Sequence, residues 1–292
     1  MKRVIKINIG VDIGGNHIGI GIVDEQGNLI KKEITDYKNH EVTAEHILNV
    51  LNDFLINNNL DGIDFIGIGL PGFAENTFVN YTCNMPLSGV EIRDFVHTDL
   101  PIKVCNDANC ATLAEYRLGD YEDIKNFGLL TVGTGIGGGV VLNKKLYTGA
   151  TNCANELGHM VIEKSGIKCK CGRKGCFEQY ASVTALKRMM SLESLQEIFY
   201  LLEKNLVIQS VFDEYLENLS EGIANFVNLY DLEVVAIGGS LSEYGDKYLN
   251  KLEEKIKSKL YNKVNSKFKL RTAKLNNDAG IIGAALLEKE EI

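Results

Sequence analysis

The sequence predicts an α/β protein made of two halves built on one plan. Three observations predict it. A run of strand, glycine turn, strand, turn and strand opens the chain and returns from Phe127. Segments of helical period follow both runs. Apolar runs such as Ile63–Leu70 are short and bounded by turn residues, as buried strands are.

Val4–Ile9 reads as the first strand, followed by a turn at Gly14–Gly15. Ile18, Ile20 and Ile22 alternate with Gly19, Gly21 and Val23 as a second strand. Asp24–Asn28 turns the chain and Leu29–Thr35 returns. Val42–Ile56 places Ile47, Leu48, Leu51 and Leu55 on one helical face. Ile63–Leu70 is a strand stopped by Pro71–Gly72, Ile102–Cys105 another, and Ala108–Leu118 a helix. In the second half Phe127–Val132 and Val140–Leu142 are strands around the turn Gly133–Gly139, and Asn143–Lys145 is a tight turn. Helices follow at Val183–Met190, Leu195–Glu203 and Ile208–Tyr230. Val234–Ile237 is a strand entering Gly238–Gly239–Ser240. A helix over Asp246–Leu260, a strand over Phe268–Ala273 and a helix over Ala279–Glu288 complete the chain. The pattern places a domain boundary near residue 118.

The 292 residues suffice for two such domains, and 45% hydrophobic with 24% charged residues is an ordinary globular composition. A net charge of −8 with no Lys/Arg cluster argues against nucleic acid or an anionic membrane surface as partner. The first ten residues lack the apolar stretch of a signal peptide, and no apolar run is long enough to span a bilayer. The expected location is cytoplasmic. Seven cysteines, an odd number, do not suggest a disulfide framework. Cys83, Cys105, Cys110 and Cys153 read as small buried thiols.

Three glycine turns carry the first functional signal: Asp12–Asn16 with Gly14 and Gly15, Gly133–Gly139 with Thr134 and Gly135, and Gly238–Gly239. Glycine lets backbone N–H groups approach phosphate oxygens. The second turn contains G-x-G-x-x-G, but a strand follows it where a dinucleotide fold needs a helix, and no GK[ST] closes it as a Walker loop. Each turn alone is equally a plain hairpin; two of them, with a third after a later strand, form a pair of phosphate clips. Asp12 precedes the first clip. It either holds Mg2+ through water near the phosphates or caps the turn.

His159, Cys169, Cys171 and Cys176 have the ligand types and spacing of a Cys3His zinc site. Four protein ligands close a tetrahedron, so the zinc is expected to be structural. Glu156 lies three residues before His159 and Glu178 two after Cys176, so the metal would fix both carboxylates beside a pocket for a polyol. Asp107 stands at a strand–helix junction. There it is either a base that accepts a proton from an attacking hydroxyl, with Asn106 orienting the same substrate, or the helix N-cap.

DIGGN at 12–16, GLPG at 69–72, NDAN at 106–109, GTGIGGG at 133–139, ELGHM at 156–160, CKCGRKGCFEQYAS at 169–182 and IGGSL at 237–241 together resemble the ROK family of bacterial sugar kinases and repressors. The resemblance covers nearly the whole chain, to AGIIGAALL at 279–287. It implies two actin-like (ribonuclease H-like) domains around a cleft, 1–118 completed by the terminal helix 279–290 and 119–278, and an ATP-dependent kinase acting on the 6-hydroxyl of glucose or an epimer such as allose. N-acetylmannosamine or N-acetylglucosamine is the alternative substrate, and a non-catalytic sugar sensor the alternative role. It implies Asp107 as base, Asn84, Asn106, Gly137, Glu156, His159 and Glu178 as sugar contacts, and Gly14, Gly15, Gly133–Gly135 and Gly238–Gly239 as nucleotide contacts. Mg2+ with ATP, a structural Zn2+ and a homodimer or homotetramer follow from the same resemblance. The repressors' N-terminal helix-turn-helix is not expected, because Asp12 comes almost at once. The chain departs from the family pattern at Asn16, where Thr is usual, and at Asn155, where Gly is usual.

Overall fold

The computed structural model describes residues 6–37, 42–83, 85–261 and 267–290. The predicted strand residues Val4 and Ile5, and Asn84, lie outside the described residues. The chain divides into two compact units. One comprises Met1–Tyr121, Lys145–Ala154 and Asn277–Ile292, the other Glu122–Lys144 and Asn155–Asn276. Among the described residues no helix is long and apolar enough to cross a membrane.

In the first unit β1 (Ile7–Ile13), β2 (His17–Asp24) and β3 (Leu29–Asp36) form an antiparallel meander. α1 (Ala44–Asn57) starts at Thr43, whose side chain accepts the His46 N–H at 3.1 Å, a conventional N-cap. Its buried face is Ile47, Leu48, Leu51, Phe54 and Leu55, which joins Ile9, Val11 and Ile13 of β1 in one core. β4 (Ile63–Leu70) follows, then a small sheet of β5 (Gly72–Glu75), β6 (Phe78–Thr82) and β7 (Val90–Glu91) that the sequence pattern does not reveal. β8 (Ile102–Asn106) leads into α2 (Asp107–Leu118). The sheet order is β3-β2-β1-β4-β8, with β1, β4 and β8 parallel.

The second unit repeats this order. β9 (Phe127–Val132) and β10 (Ile136–Leu142) are antiparallel, and β11 (Lys145–Tyr147), whose residues group with the first unit, neighbours β10 in the sheet. The short helix α3 (Glu178–Ala181) precedes α4 (Val183–Met190), α5 (Leu195–Leu202) and the long α6 (Leu206–Tyr230). β12 (Val234–Gly238), α7 (Leu249–Lys259) and β13 (Lys269–Thr272) follow, giving β11-β10-β9-β12-β13 with β9, β12 and β13 parallel. The duplication legible in the sequence is therefore a duplication of sheet topology. Phe212, Tyr215, Leu216, Leu219, Ile223 and Phe226 of α6 fill the core beneath this sheet.

α8 (Ala279–Leu286) belongs to the first unit and packs on β1, β4 and α2. Glycines permit a very close approach: a Cβ at Gly67 would lie 1.8 Å from the Ala284 carbonyl oxygen, and one at Gly283 would lie 1.7 Å from that of Cys110. The scattered cysteines divide. Cys105 and Cys110 are buried as expected, whereas Cys83 is exposed and Cys153 half-buried, because both lie in loops outside the core.

Candidate active site and metal centre

The parallel register of the first sheet sets Asp12 opposite Gly69, and Gly69 opposite Cys105. Asp12 and Asp107 thus leave the C-terminal ends of β1 and β8 on either side of β4, the edge at which α/β sheets carry their chemistry. Gly69 makes room for the helix start: a Cβ there would meet the Cys110 Sγ at 3.2 Å and the Asp107 Cα at 3.6 Å.

The N-cap of α2 is Asn106. Its Oδ1 accepts the N–H groups of Ala108 at 3.0 Å and Asn109 at 3.2 Å, and its Nδ2 donates to the Gly72 carbonyl at 3.2 Å. Asn106 does the capping that the sequence left open for Asp107. Asp107 is the first helical residue and its Oδ1 accepts the Ala108 N–H at 2.8 Å. Burial raises the Asp107 pKa above the usual carboxylate value, against that N–H, which lowers it. Burial pushes the Asp12 pKa up to about 7, and the neighbouring charge of Asp107 adds to the shift. The Asp12 carboxylate lies against the start of α8, where a Cβ at Gly280 would come within 2.7 Å of its Cγ.

The first glycine turn is tied down by Tyr37, which is 3% exposed. The Tyr37 hydroxyl donates to the Gly14 carbonyl, and its N–H donates to the Asn16 carbonyl at 3.0 Å. A Cβ at Gly15 would meet nothing within 4 Å, so this side of the turn is open. Burial, and secondarily the Asp12 charge, push the Tyr37 phenol up to about 12, so it stays a donor at neutral pH.

In the second unit the Gly133 N–H donates to the Gly135 carbonyl at 3.0 Å, closing the β9–β10 turn. Two donors at the start of α4 hold it from outside: the Val183 N–H reaches the Gly133 carbonyl at 2.9 Å, and the Thr184 hydroxyl reaches that of Thr134 at 2.7 Å. Gly137 pairs with Thr131 on β9, and Gly238 pairs with the same residue from β12. Gly239, at φ +76°, abuts Val132, whose carbonyl oxygen would lie 2.5 Å from a Cβ there. The second and third glycine turns are therefore neighbours, although about a hundred residues separate them.

The ligand atoms of His159, Cys169, Cys171 and Cys176 all lie within 4.8 Å of one another. The Cys169 Sγ is 3.6 Å from His159 Nδ1, and the Cys171 and Cys176 Sγ atoms are 3.6 Å apart. Zn–S bonds of about 2.3 Å in a tetrahedron put ligand atoms about 3.7 Å apart, so the donor set suits zinc in number, type and spacing. The loop owes its shape to Gly172 at φ +90° and Gly175 at φ +77°. Glu178 connects this centre to the second glycine turn. Its Oε1 accepts from the Cys169 Sγ at 3.2 Å, while its Oε2 would lie 3.1 Å from a Cβ at Gly135. Glu156 is exposed at the head of the 3-10 turn Leu157–His159, and Gly158 packs that turn on β10, with a Cβ there only 2.3 Å from the Ile136 carbonyl oxygen. Asn155 has φ +70° and is buried. Asn tolerates this left-handed region better than most residues, which explains how it stands where a glycine is expected.

Among the described residues the predicted site members form two groups. Asp12, Gly14, Gly15, Asn16, Asn106 and Asp107 lie in the first unit; the remainder lie in the second. Sequence reasoning missed Tyr37, Thr184 and Gly280. The first two reach a turn distant in sequence, and no local pattern announces such a contact.

The chain matches the ROK family over residues 8–291. A glucokinase of Halalkalibacterium halodurans is 32% identical, covering 97% of this chain and 95% of the relative. An N-acetylmannosamine kinase of Haemophilus influenzae is 31% identical, with coverage of 97% and 95%. The crystal structure of a ROK family glucokinase from Streptomyces griseus in complex with glucose and AMPPNP superposes with a TM-score of 0.79 at 29% identity, covering 96% of this chain and 98% of that one. Similar proteins also include transcriptional regulators. From the matched motifs, the duplicated actin-like sheets and the full-length similarity, this chain belongs to the ROK family.

Proposed function

We propose that the protein is an ATP-dependent hexose kinase that phosphorylates the 6-hydroxyl of glucose or an epimer such as allose. The observation that carries the reading is the pair Asp12 and Asp107, two acids at one sheet edge whose pKa values burial raises. Asp107 is the general base. Its carboxylate takes the hydroxyl proton as the sugar oxygen bonds to the γ-phosphorus and the bond to the β,γ-bridging oxygen breaks, releasing ADP. A raised pKa suits it to accept that proton near neutral pH. Asp12 would hold Mg2+ through water: burial disfavours its ionised form, and the charge of a bound cation would offset that cost and stabilise the carboxylate. When bound, Mg2+ offsets charge on the transferring phosphoryl group.

Glu156, His159, Glu178 and Asn106 are sugar contacts in this reading, with Asn84 and Gly137. Of these, Asn106 already spends its amide on the α2 cap and on Gly72, so its part is to fix Asp107 as much as to touch the sugar. Zinc on its four ligands would brace the loop that leads into α3, whose first residue is Glu178. The N-acetylmannosamine kinase relative supports a second reading, an N-acetylhexosamine as substrate.

The test is ADP formation with Mg-ATP over a panel of hexoses and N-acetylhexosamines. Turnover of a hexose, lost in Asp107→Asn with the circular dichroism spectrum intact, is expected. Absence of turnover across the panel would overturn the kinase reading, and exclusive turnover of N-acetylhexosamines would favour the second.

A further inference from the structure

We propose that Tyr37 and Thr184 are positioning residues for the nucleotide, each holding the carbonyl groups of one glycine turn away from the phosphates. The inference rests on the reading that these turns bind the nucleotide.

Both turns are restrained in the same way by unrelated parts of the chain. Outside the first turn, the Tyr37 N–H and hydroxyl donate to the carbonyls of Asn16 and Gly14. Outside the second, the Val183 N–H and the Thr184 hydroxyl donate to the carbonyls of Gly133 and Thr134, at 2.9 and 2.7 Å. Each turn thus receives one main-chain donor and one hydroxyl. The carbonyl of Gly135 is occupied as well, by the Gly133 N–H.

The consequence follows from peptide geometry. In a planar trans peptide the C=O of one residue and the N–H of the next point in opposite directions. Fixing the Gly14 carbonyl on Tyr37 therefore turns the Gly15 N–H away from Tyr37. Fixing the Gly133 and Thr134 carbonyls on α4 likewise turns the Thr134 and Gly135 N–H groups away from that helix. A Cβ at Gly15 or Gly133 would meet nothing within 4 Å, so an anion has space to approach. Glycine-rich turns rotate their peptides easily, and a rotated peptide would present a carbonyl dipole to a phosphate and repel it. The two hydroxyls remove that alternative before the ligand arrives, so binding does not have to order the turns.

The experiment measures KM for ATP and for the sugar, and the Kd of AMPPNP by calorimetry, in the wild type, Tyr37→Phe, Thr184→Val and Thr184→Ser. Thr184 is exposed, so its variants remove or keep a hydroxyl without disturbing the core. Loss of one such hydrogen bond is expected to raise the ATP KM and the AMPPNP Kd about three- to tenfold in each of Tyr37→Phe and Thr184→Val, with the sugar KM within about twofold. Thr184→Ser should restore the wild-type value. If the wild type binds AMPPNP and both hydroxyl-deleted variants match it, or if ATP and sugar KM rise together, the positioning role is wrong while the kinase reading stands. If the wild type binds no nucleotide, both fall.

Discussion

Asp12 and Asp107 flank β4 at the C-terminal edge of the first sheet, near enough for the charge of Asp107 to raise the pKa of Asp12. Burial dominates both shifts. A fold that places two acids this way gives up stability that a bound cation and substrate would return.

The sign of this cost sets the first prediction. The folded-state pKa of Asp12, about 7, lies above its ordinary value of 3.8. The fold therefore holds this proton more tightly than the unfolded chain does. The associated stability is present below pH ~4 and is lost as pH rises to ~7, by at most about 4 kcal/mol. Asp12→Asn should abolish this loss, so at pH 8 without Mg2+ it should melt above the wild type. Thermal melts from pH 4 to 8 check it, and superimposable pH profiles would count against the shift.

Asp107→Asn should lower kcat by about 10^2- to 10^4-fold while leaving the melting temperature close to that of the wild type, since Asn106 caps the helix. The acidic limb of the wild-type kcat/KM profile should fall above the usual carboxylate range, because the base is hard to ionise. A limb at or below pH 4 would be inconsistent with Asp107 as this base.

Cys171→Ser removes one of four clustered ligands at an exposed position. Metal analysis should then find well under one zinc per chain, against about one in the wild type, and the variant should melt lower because the loop loses its brace. Equal zinc content in the two proteins would show that the cluster is not the metal site.

At Asn155 the backbone is left-handed. Asn155→Gly should change stability by less than about 1 kcal/mol, whereas Asn155→Val should cost roughly 2 kcal/mol or more, since a β-branched residue resists positive φ. Denaturant melts that rank the two variants in the opposite order would refute this.

Gly67→Ala would drive a methyl group to 1.8 Å from the Ala284 backbone oxygen. Backbone cannot yield as a flexible side chain can, so a loss of about 3 kcal/mol or an insoluble protein is expected. Wild-type stability in this variant would show that α8 is free to shift.

The fold was legible where periodicity and glycine placement agree. The two strand–turn–strand runs, the helical faces of α1 and α6 and the cysteine spacing all read directly, because each is a local pattern. The strands β5, β6 and β7 were not legible: Phe78 and Tyr81 are apolar yet exposed, so no regular alternation marks them. The partners of the glycine turns were equally hidden. Nothing around Tyr37 or Thr184 in sequence predicts a hydroxyl on a carbonyl twenty or fifty residues away. The sequence left Asp107 open between base and N-cap; Asn106 beside it has equal capping power, and only atomic contacts assign the cap to Asn106.

Because the first unit takes α8 from a segment that follows the second unit in sequence, it cannot be finished before that segment has been made. A nascent polypeptide emerging from the ribosome exposes the surfaces of β1, β4 and α2 that Gly10, Gly67 and Cys110 present to that helix until residue 279 and beyond are released. The second unit, encoded largely before that point, is free to fold first. For this chain, translation order and order of completion run in opposite directions.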